Sequence, residues 1–570
     1  MCFSPLFSWI LAVCLFIVPA ILRSQETSPG HSGTEPPRGQ LHGNFQVIWQ
    51  QYNEDSLIGA IVPPPKTAMN AYGNFNYTYG NFSAGMRFES YMDAILGYSA
   101  QNRFQGTGIG FRYAQYKNEQ LDITVGNFYE QFGMGLTLRS YWEPFLGIDN
   151  ALDGIRVIAT PRKGITAKAI YGHQRLAFEN RLINADGIIR GLDGEIQLND
   201  LIPALSESKT RVSLGGSYVS RFQEGGLLEK DTLLLELPAN VGTYAGRLQV
   251  SHGPFRFMGE YSEKINDPSA DNGYIYRTGR GIFLTANYSK KGFGITAMAK
   301  SIDNLSFRAD RDLKLFDVPI NYIPAITRQH TYNLAATLYP YATPFTGEAS
   351  IMGELFYNFK KETPLGGAYG TQISLNVAAA NSLDTTRISG VDGLVNGYEM
   401  NSLGFGPVKY VRDVNVEIRK KFSKKLSGAF TYYYLEFNTT VTPVTNDFKG
   451  LLFADIQVLE INYKFNSKNN IHLEFQALQT EQDKGDWATI VAEYTFSPHW
   501  TFAIIDQYNY GNINPDKRIH YLFGTVGYIN GGNRLAIGYG KRREGVFCIG
   551  GVCRAVPATN GFEITLTSSF

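Results

Sequence analysis

The chain has 570 residues, with 59 Gly, 35 Tyr, 14% aromatic residues, a mean hydropathy of -0.18, and 52 Lys plus Arg against 51 Asp plus Glu, for a formal net charge of +1. That balance excludes binding to nucleic acid through general electrostatics, and after residue 24 no run of 18 apolar residues offers a membrane-spanning helix. The length alone would suggest three or four domains, yet nothing after the start divides the chain, and its strand-forming composition fits one large β-structure that closes on itself and so satisfies its own backbone.

In chain order, residues 6–22 are almost continuously apolar and run into the polar stretch 26–40. This predicts a cleaved signal peptide over 1–24 and a periplasmic linker over 25–40, although no basic residue precedes the apolar core. Cys2 and Cys14 leave with the signal. Cys548 and Cys553 remain on either side of Gly550-Gly551, and an oxidising compartment predicts a disulfide between them. No second Cys or His pair lies nearby in sequence, so no metal site is expected.

From residue 43 onward, apolar and polar residues alternate in short segments joined by alternately short and long connections, the pattern of an antiparallel membrane barrel. Segments 43–51, 68–79 and 81–92 open the series. The third places Phe82, Ala84, Met86 and Phe88 toward lipid and Ser83, Gly85, Arg87 and Glu89 toward a lumen, where mid-strand charge is tolerated. Hairpin 104–116/121–128 follows, then candidate strands as far as 561–570, among them 330–338. The count is about 25, whereas two ends on the same side require an even number. Strand directions followed from the two ends disagree between residues 302 and 412. Reading 304–311 as a further strand restores parity. The predicted fold is therefore all-β: a single large antiparallel transmembrane barrel over 41–570, of about 26 strands with 24 as the alternative, after the signal peptide.

Connection 129–153 mixes aromatic and charged residues, among them Gln131, Arg139, Glu143, Asp149 and Asp153, with Arg156 just beyond. Folded inward these would constrict the lumen; folded outward they would pack on neighbouring loops, and both readings stay open. Connection 381–406 reads as surface. Tyr432, Tyr433, Tyr434, Tyr508, Tyr510, Trp487 and Trp500 suit interfacial belts. The histidines His173, His252, His330, His472, His499 and His520 are scattered outside any nucleophile motif, so no catalytic residue, no cofactor and no enzyme activity are expected. The Gly-rich pieces 106–110 and 133–135 lack the strand-to-helix context of a phosphate loop.

The last stretch, 561–570, puts Phe562, Ile564, Leu566 and Phe570 on one face of a strand and Glu563, Thr565, Thr567 and Ser569 on the other. Closing on an aromatic ring, it resembles the C-terminal signal by which the barrel assembly machinery recognises its substrates. Further motifs carry a family resemblance: Lys541-Arg542-Arg543-Glu544-Gly545-Val546-Phe547-Cys548 with Cys553-Arg554, Val125-Gly126-Asn127-Phe128-Tyr129-Glu130-Gln131-Phe132-Gly133, Asp153-Gly154-Ile155-Arg156, and Asp506-Gln507-Tyr508-Asn509-Tyr510-Gly511-Asn512. Together they resemble a family of Gram-negative outer-membrane barrel proteins known only as a domain of unknown function, over roughly residues 41–570. The resemblance implies the fold and the bacterial outer membrane, and no activity.

A cylinder of about 26 strands would leave a large hole unless loops fill it. The expected function is thus a pore or gated transporter narrowed by inward loops; the alternative is a non-conducting barrel that anchors surface loops or docks a secretion or surface-assembly partner. Expected partners are outer-membrane lipids, the barrel assembly machinery, and a small-molecule cargo or surface protein, with no nucleic acid.

Overall fold

The computed structural model describes residues 39–60, 62–98, 103–314, 317–441, 448–549 and 552–570. The signal peptide, nearly all of the linker and the Gly550-Gly551 turn lie outside the described residues. Twenty-four alternating segments pair into one antiparallel sheet. They are β1 (Gln40–Tyr52), β2 (Thr67–Tyr79), β3 (Phe82–Met92), β4 (Phe104–Lys117), β5 (Leu121–Phe128), β6 (Leu152–Arg162), β7 (Ile165–Glu179) and β8 (Leu182–Gln197). The series continues with β9 (Thr210–Phe222), β10 (Asn240–His252), β11 (Phe255–Lys264), β12 (Gly279–Lys290), β13 (Phe293–Asp303), β14 (Gly347–Phe359), β15 (Thr371–Arg387) and β16 (Tyr398–Lys421). It ends with β17 (Leu426–Asn438), β18 (Leu451–Lys464), β19 (Asn469–Gln479), β20 (Trp487–Phe496), β21 (Trp500–Tyr508), β22 (His520–Asn530), β23 (Asn533–Arg542) and β24 (Thr559–Ser569).

The sheet closes because β24 pairs with β1, from Asn44↔Ser569 to Tyr52↔Gly561. Phe570 and Gly43 then exchange two backbone hydrogen bonds of 3.0 Å. The Phe570 ring stacks on Phe45 at 5.7 Å and leans on Phe75 at 6.2 Å. A Cβ at Gly43 would lie 2.3 Å from the ring, so the bare backbone there makes room for the aromatic seam. Deleting Phe570 is therefore expected to leave export intact and to reduce insertion. Outer-membrane fractionation with heat-modifiable gel migration checks this, and normal assembly of the deletion would refute the signal role.

The tight turns, such as Gly80-Asn81, Gly253-Pro254 and Gly531-Gly532, lie at the end that also holds both termini of the barrel, which makes it the periplasmic end. The outward residues of each strand are apolar and exposed, for example Phe82, Met86, Phe88, Leu284, Ile351 and Ile504. Their alternates Arg87, Glu89 and Lys300 are buried within the bore. A closed barrel with an apolar exterior and a polar interior is a bacterial outer-membrane protein.

The strand count of 24 differs from about 26 for one reason: 304–311 and 330–338 are not in the wall. Residues 304–311 are extended, with Leu305, Phe307 and Ala309 buried, but they bond to their own returning chain (Ile320 N to Phe307 O, 2.8 Å) rather than to a neighbouring strand. The segment 330–338 holds the short helix Asn333–Thr337. The parity conflict does lie between 302 and 412, and taking 330–338 out of the wall, rather than adding 304–311, resolves it. Connection 381–406 is shorter than expected, because β15 and β16 extend it as a ladder capped by the short helix Gly390–Val395. Among the expected belt residues, Trp500 is exposed beside Phe502 and Tyr528, whereas Trp487 and Tyr433 point inward into a hydrophobic cluster.

Candidate functional site

Two long connections on the outer side fold into the bore. The first, residues 129–151, begins where β5 stops early. β7 and β8 are much longer, and the tip of β7 reaches across to bridge β4 in parallel at Phe178↔Phe104 and Glu179↔Gln105. The wall therefore closes above β5 and β6, and the connection passes beneath that bridge. Register shifts flank Arg175 on β7, and an irregularity of this kind re-aims a side chain. On the facing strand β4, a Cβ at Gly110 would lie 2.2 Å from Glu89 Oε1, so glycine leaves the room that the carboxylate occupies.

Arg175 and Glu89 meet there with Arg87 and Asp149. Arg175 donates to Glu89 Oε2 at 2.7 Å and to Asp149 Oδ2 at 2.7 Å. Arg87 donates to Glu89 Oε1 at 2.7 Å and pairs with Asp149. Tyr129 donates to Asp149 Oδ1 at 2.8 Å, and Tyr91 to Glu89 Oε2 at 2.9 Å. The Arg87 guanidinium also lies 4.1 Å from the Trp142 ring. Burial first, and the Asp149 charge second, push the Tyr129 phenol well above its ordinary range, so it remains a donor. Two cations and two anions thus neutralise each other out of water, which is the condition under which buried charge is tolerated. Asp149 is the loop's contribution, so the cluster is an anchor.

The second connection, 304–346, lines the inner wall from β9 to β21. Near its start, Arg221 on β9 pairs with Asp267 at 2.8 Å and donates to Arg308 O at 3.0 Å. Lys264 reaches the same Asp267 at 3.3 Å and the Ser306 carbonyl. Midway, Lys300 pairs with Glu348 at 2.8 Å and donates to Pro324 O at 2.5 Å and Thr343 Oγ1 at 2.7 Å. Farther on, His330 meets Asp413 at 2.6 Å, Tyr332 donates to Glu460, and Leu334 N donates to Gln476 at 2.9 Å. From above, Arg543 donates to Thr337 and Asn333, and Gln329 donates to Cys548 O at 3.1 Å. Burial without a carboxylate partner pushes Arg543 down to about 10. Cys548 and Cys553 are disulfide-bonded across the hairpin Gly545–Ile549/Val552–Val556, which rests on Ala342.

The two connections also clasp each other. Arg139 N donates to Ile320 O at 2.8 Å, Tyr322 N to Gly135 O at 2.9 Å, and Asn321 Nδ2 to Leu136 O at 3.0 Å. Phe132, Leu138, Phe307 and Ile320 share one apolar cluster with wall residues Ile170, Ile189 and Val219. A Cβ at Gly133, whose φ is +51°, would lie 2.2 Å from Glu260 Oε2, and that oxygen accepts from Met134 N at 2.7 Å. Of the two Gly-rich pieces, 106–110 is thus a close approach within the wall, against Glu89 and Asn180, and Gly133 is one where the inward connection meets the wall.

The residues expected to constrict the lumen divide among these contacts. Asp149 is central to the charged cluster. Arg139 lies 4.0 Å over the Tyr322 ring, at the clasp. Gln131 donates to Gly133 O at 2.9 Å within the loop, and Glu143 accepts from Phe145 N at 3.2 Å in a turn. Arg156 pairs with Asp122 at 3.2 Å and Glu130 at 3.6 Å, beside Lys168. Asp153 faces Arg112 at 3.3 Å. Sequence reasoning missed Arg175, Arg221, Lys264 and Lys300; each is a charge in an otherwise strand-like run, and that was the available signal.

No curated relative matches the sequence. Among solved structures, the copper transporter OprC is 9% identical with a TM-score of 0.39, over 96% of this chain and 82% of that one. The P pilus usher (PapC) translocation pore is 7% identical with a TM-score of 0.37, over 93% and 99%. The siderophore receptor PirA from Pseudomonas aeruginosa is 12% identical with a TM-score of 0.36, over 94% and 82%. One family model matches residues 6–570, and the chain accordingly belongs to the family of unknown function DUF6029.

Proposed function

We propose that the protein is a gated pore or transporter of the outer membrane, with no enzymatic activity, in which residues 129–151 and 304–346 form the gate and its own barrel forms the conduit. The clasp between the two connections carries this reading. They meet inside the bore through backbone hydrogen bonds and a common apolar cluster, yet each is tied separately to the wall, the first by the Arg175–Asp149 ion pair and the second by hydrogen bonds from Arg221 and Lys300 to its carbonyls, contacts that a shift of the gate can exchange for water. Small-molecule cargo passing between outer surface and periplasm fits a conduit of this size, and the aromatic seam at Phe570 fits delivery by the barrel assembly machinery. Planar-bilayer recording of the intact chain tests the proposal: brief openings from a long closed state are expected, and a folded barrel that never conducts, even in mild urea, would overturn it.

A non-conducting barrel that docks a surface-assembly partner is the competing reading. The outer hairpin Gly226–Lys230/Leu233–Leu237 favours it, because Leu227 and Leu234 stand 69% and 65% exposed at its surface. Co-purification of one stoichiometric partner, lost in Leu227→Ser/Leu234→Ser, would support docking.

The disulfide hairpin supplies a further expectation. Because it rests on Ala342 and its Cys548 carbonyl accepts from Gln329, Cys548→Ser/Cys553→Ser is expected to raise the opening frequency a few-fold. Heat-modifiable migration should stay unchanged, since no barrel strand depends on the bond.

A further inference from the structure

The periplasmic rim is strongly uneven in charge. Lys290 and Lys291 stand at the turn between β12 and β13, and Lys360 and Lys361 follow β14. The end of β16 and the connection after it carry Lys420, Lys421, Lys424 and Lys425, and the end of β18 and its connection carry Lys464 and Lys468. These are four successive connections on one arc. All ten lysines except half-buried Lys420 are exposed, and among the described residues none pairs with a carboxylate. Glu362 is the sole acid within the same connections. Elsewhere on the rim, Gly80-Asn81, Ser497–His499 and Gly531-Gly532 are uncharged, and the charged connections mix both signs: Lys117 stands with Glu119, Lys163 is paired with Asp200 at 3.1 Å, and Glu207 stands with Lys209. For a chain of net charge +1, this is a concentrated positive field on one side of the mouth.

Behind the arc a cavity of about 1010 Å³ is lined by Lys291, Lys361, Arg419 and Lys421 together with the amides Asn358 and Asn462. Glu460 also lines it and accepts from Tyr332 of the inward connection, while Arg419 pairs with Glu417 at 2.6 Å and faces Glu460 at 3.8 Å. The cavity therefore adjoins the inward connection.

We propose that this arc and its cavity bind an acidic polypeptide segment of a periplasmic partner. The span selects a polypeptide over a small anion. From the first to the last of the four connections the arc crosses six strand spacings of about 4.8 Å, roughly 29 Å, which an extended segment of about nine or ten residues covers. The inward cavity argues against lipid headgroups as the main occupant, because Arg419 and Asn462 face the bore rather than the bilayer. The compartment assigned to the partner rests on the strand direction derived above; the binding chemistry rests on neither that direction nor conduction.

The test uses the full chain in phosphatidylcholine nanodiscs and a fluorescein-labelled peptide of roughly ten residues alternating Asp and Gly, followed by anisotropy. Saturable binding is expected, weakened by added salt as ionic strength screens the arc. The variant K420Q/K421Q/K424Q/K425Q is expected to lose about tenfold in affinity, and K163Q/K209Q, outside the arc, to lose none. Unchanged heat-modifiable migration establishes that each variant is folded. Absence of peptide binding, or equal loss in both variants, overturns the proposal. So does the lipid outcome: no peptide binding, with phosphatidylglycerol discs raising the melting temperature of the wild type but not of the quadruple variant. Because this readout is binding, a barrel that binds the peptide but never conducts would refute the gate alone.

Discussion

Replacing residues 304–346 with a short Asn-Gly linker is expected to convert a mostly closed barrel into a permanently open one, with single-channel conductance raised about tenfold or more. Asp303 pairs directly with Gly347 across β13 and β14, so the two strands are already placed for a tight hairpin and the wall need not move. Twenty-four strands at about 4.8 Å give a perimeter of roughly 115 Å and a bore more than 30 Å wide before side chains are counted, and barrels of fewer strands already conduct water. The connection removed runs inside that bore, from Arg221 and Lys264 on one side to Asp413 and Gln476 on the other. Once it is gone, the wall charges it covered become solvated by lumen water, so the loss of their partners leaves the barrel wall intact. Planar-bilayer conductance and sugar-uptake liposome swelling both measure the result. A folded deletion variant that remains closed would mean that some other element seals the lumen, and the gate reading would fall.

The wall was legible in the sequence because each strand writes its environment with a period of two. Phe82, Met86 and Phe88 read as lipid-facing and are exposed; Arg87 and Glu89 read as lumen-facing and are buried. The plug was not legible, for a related reason. Leu305, Phe307 and Ala309 also recur at every second residue, but both faces of that segment are buried, with Ser306 and Arg308 holding Asp271. Extended backbone inside a bore produces the same period as extended backbone in its wall. What separates them is the identity of the hydrogen-bond partner, which sequence does not record. The charged cluster was hidden by distance along the chain: Arg175 meets a carboxylate 86 residues before it and another 26 residues before it. Each residue alone looked like a lumen-facing charge, and only closure of β7 over β4 brings them together. Asp149 was visible as a loop acid, while its role required knowing that the loop turned inward.

Arg175→Met is expected to destabilise the protein by about 3–5 kcal/mol, the range for removing one partner of a buried ionic pair. The side chains of Arg175 and Glu89 are 0% and 1% exposed, so neither can recover the loss from water. The substitution leaves Glu89 and Asp149 to share Arg87 alone, a buried excess of one negative charge. Glu89→Met alone leaves the opposite excess, with Arg87 and Arg175 facing only Asp149. The double variant Arg175→Met/Glu89→Met restores neutrality, keeps the Arg87–Asp149 pair, and fills the space with apolar atoms beside Phe104 and Phe178, whose rings lie 5.3 and 5.6 Å from the Arg175 guanidinium. Replacement of a buried pair by apolar residues is often neutral, so the double variant is expected to recover most of the stability lost by either single change. Urea unfolding followed by loss of heat-modifiable migration measures the cycle. Trypsin cleavage at Arg139 reports whether the first connection has left the lumen, which is expected in the single variants and not in the double one. Additive losses in the double variant would show that Arg175 and Glu89 do not act as one unit, and the anchor assigned to Asp149 would then have to lie with Arg87 alone.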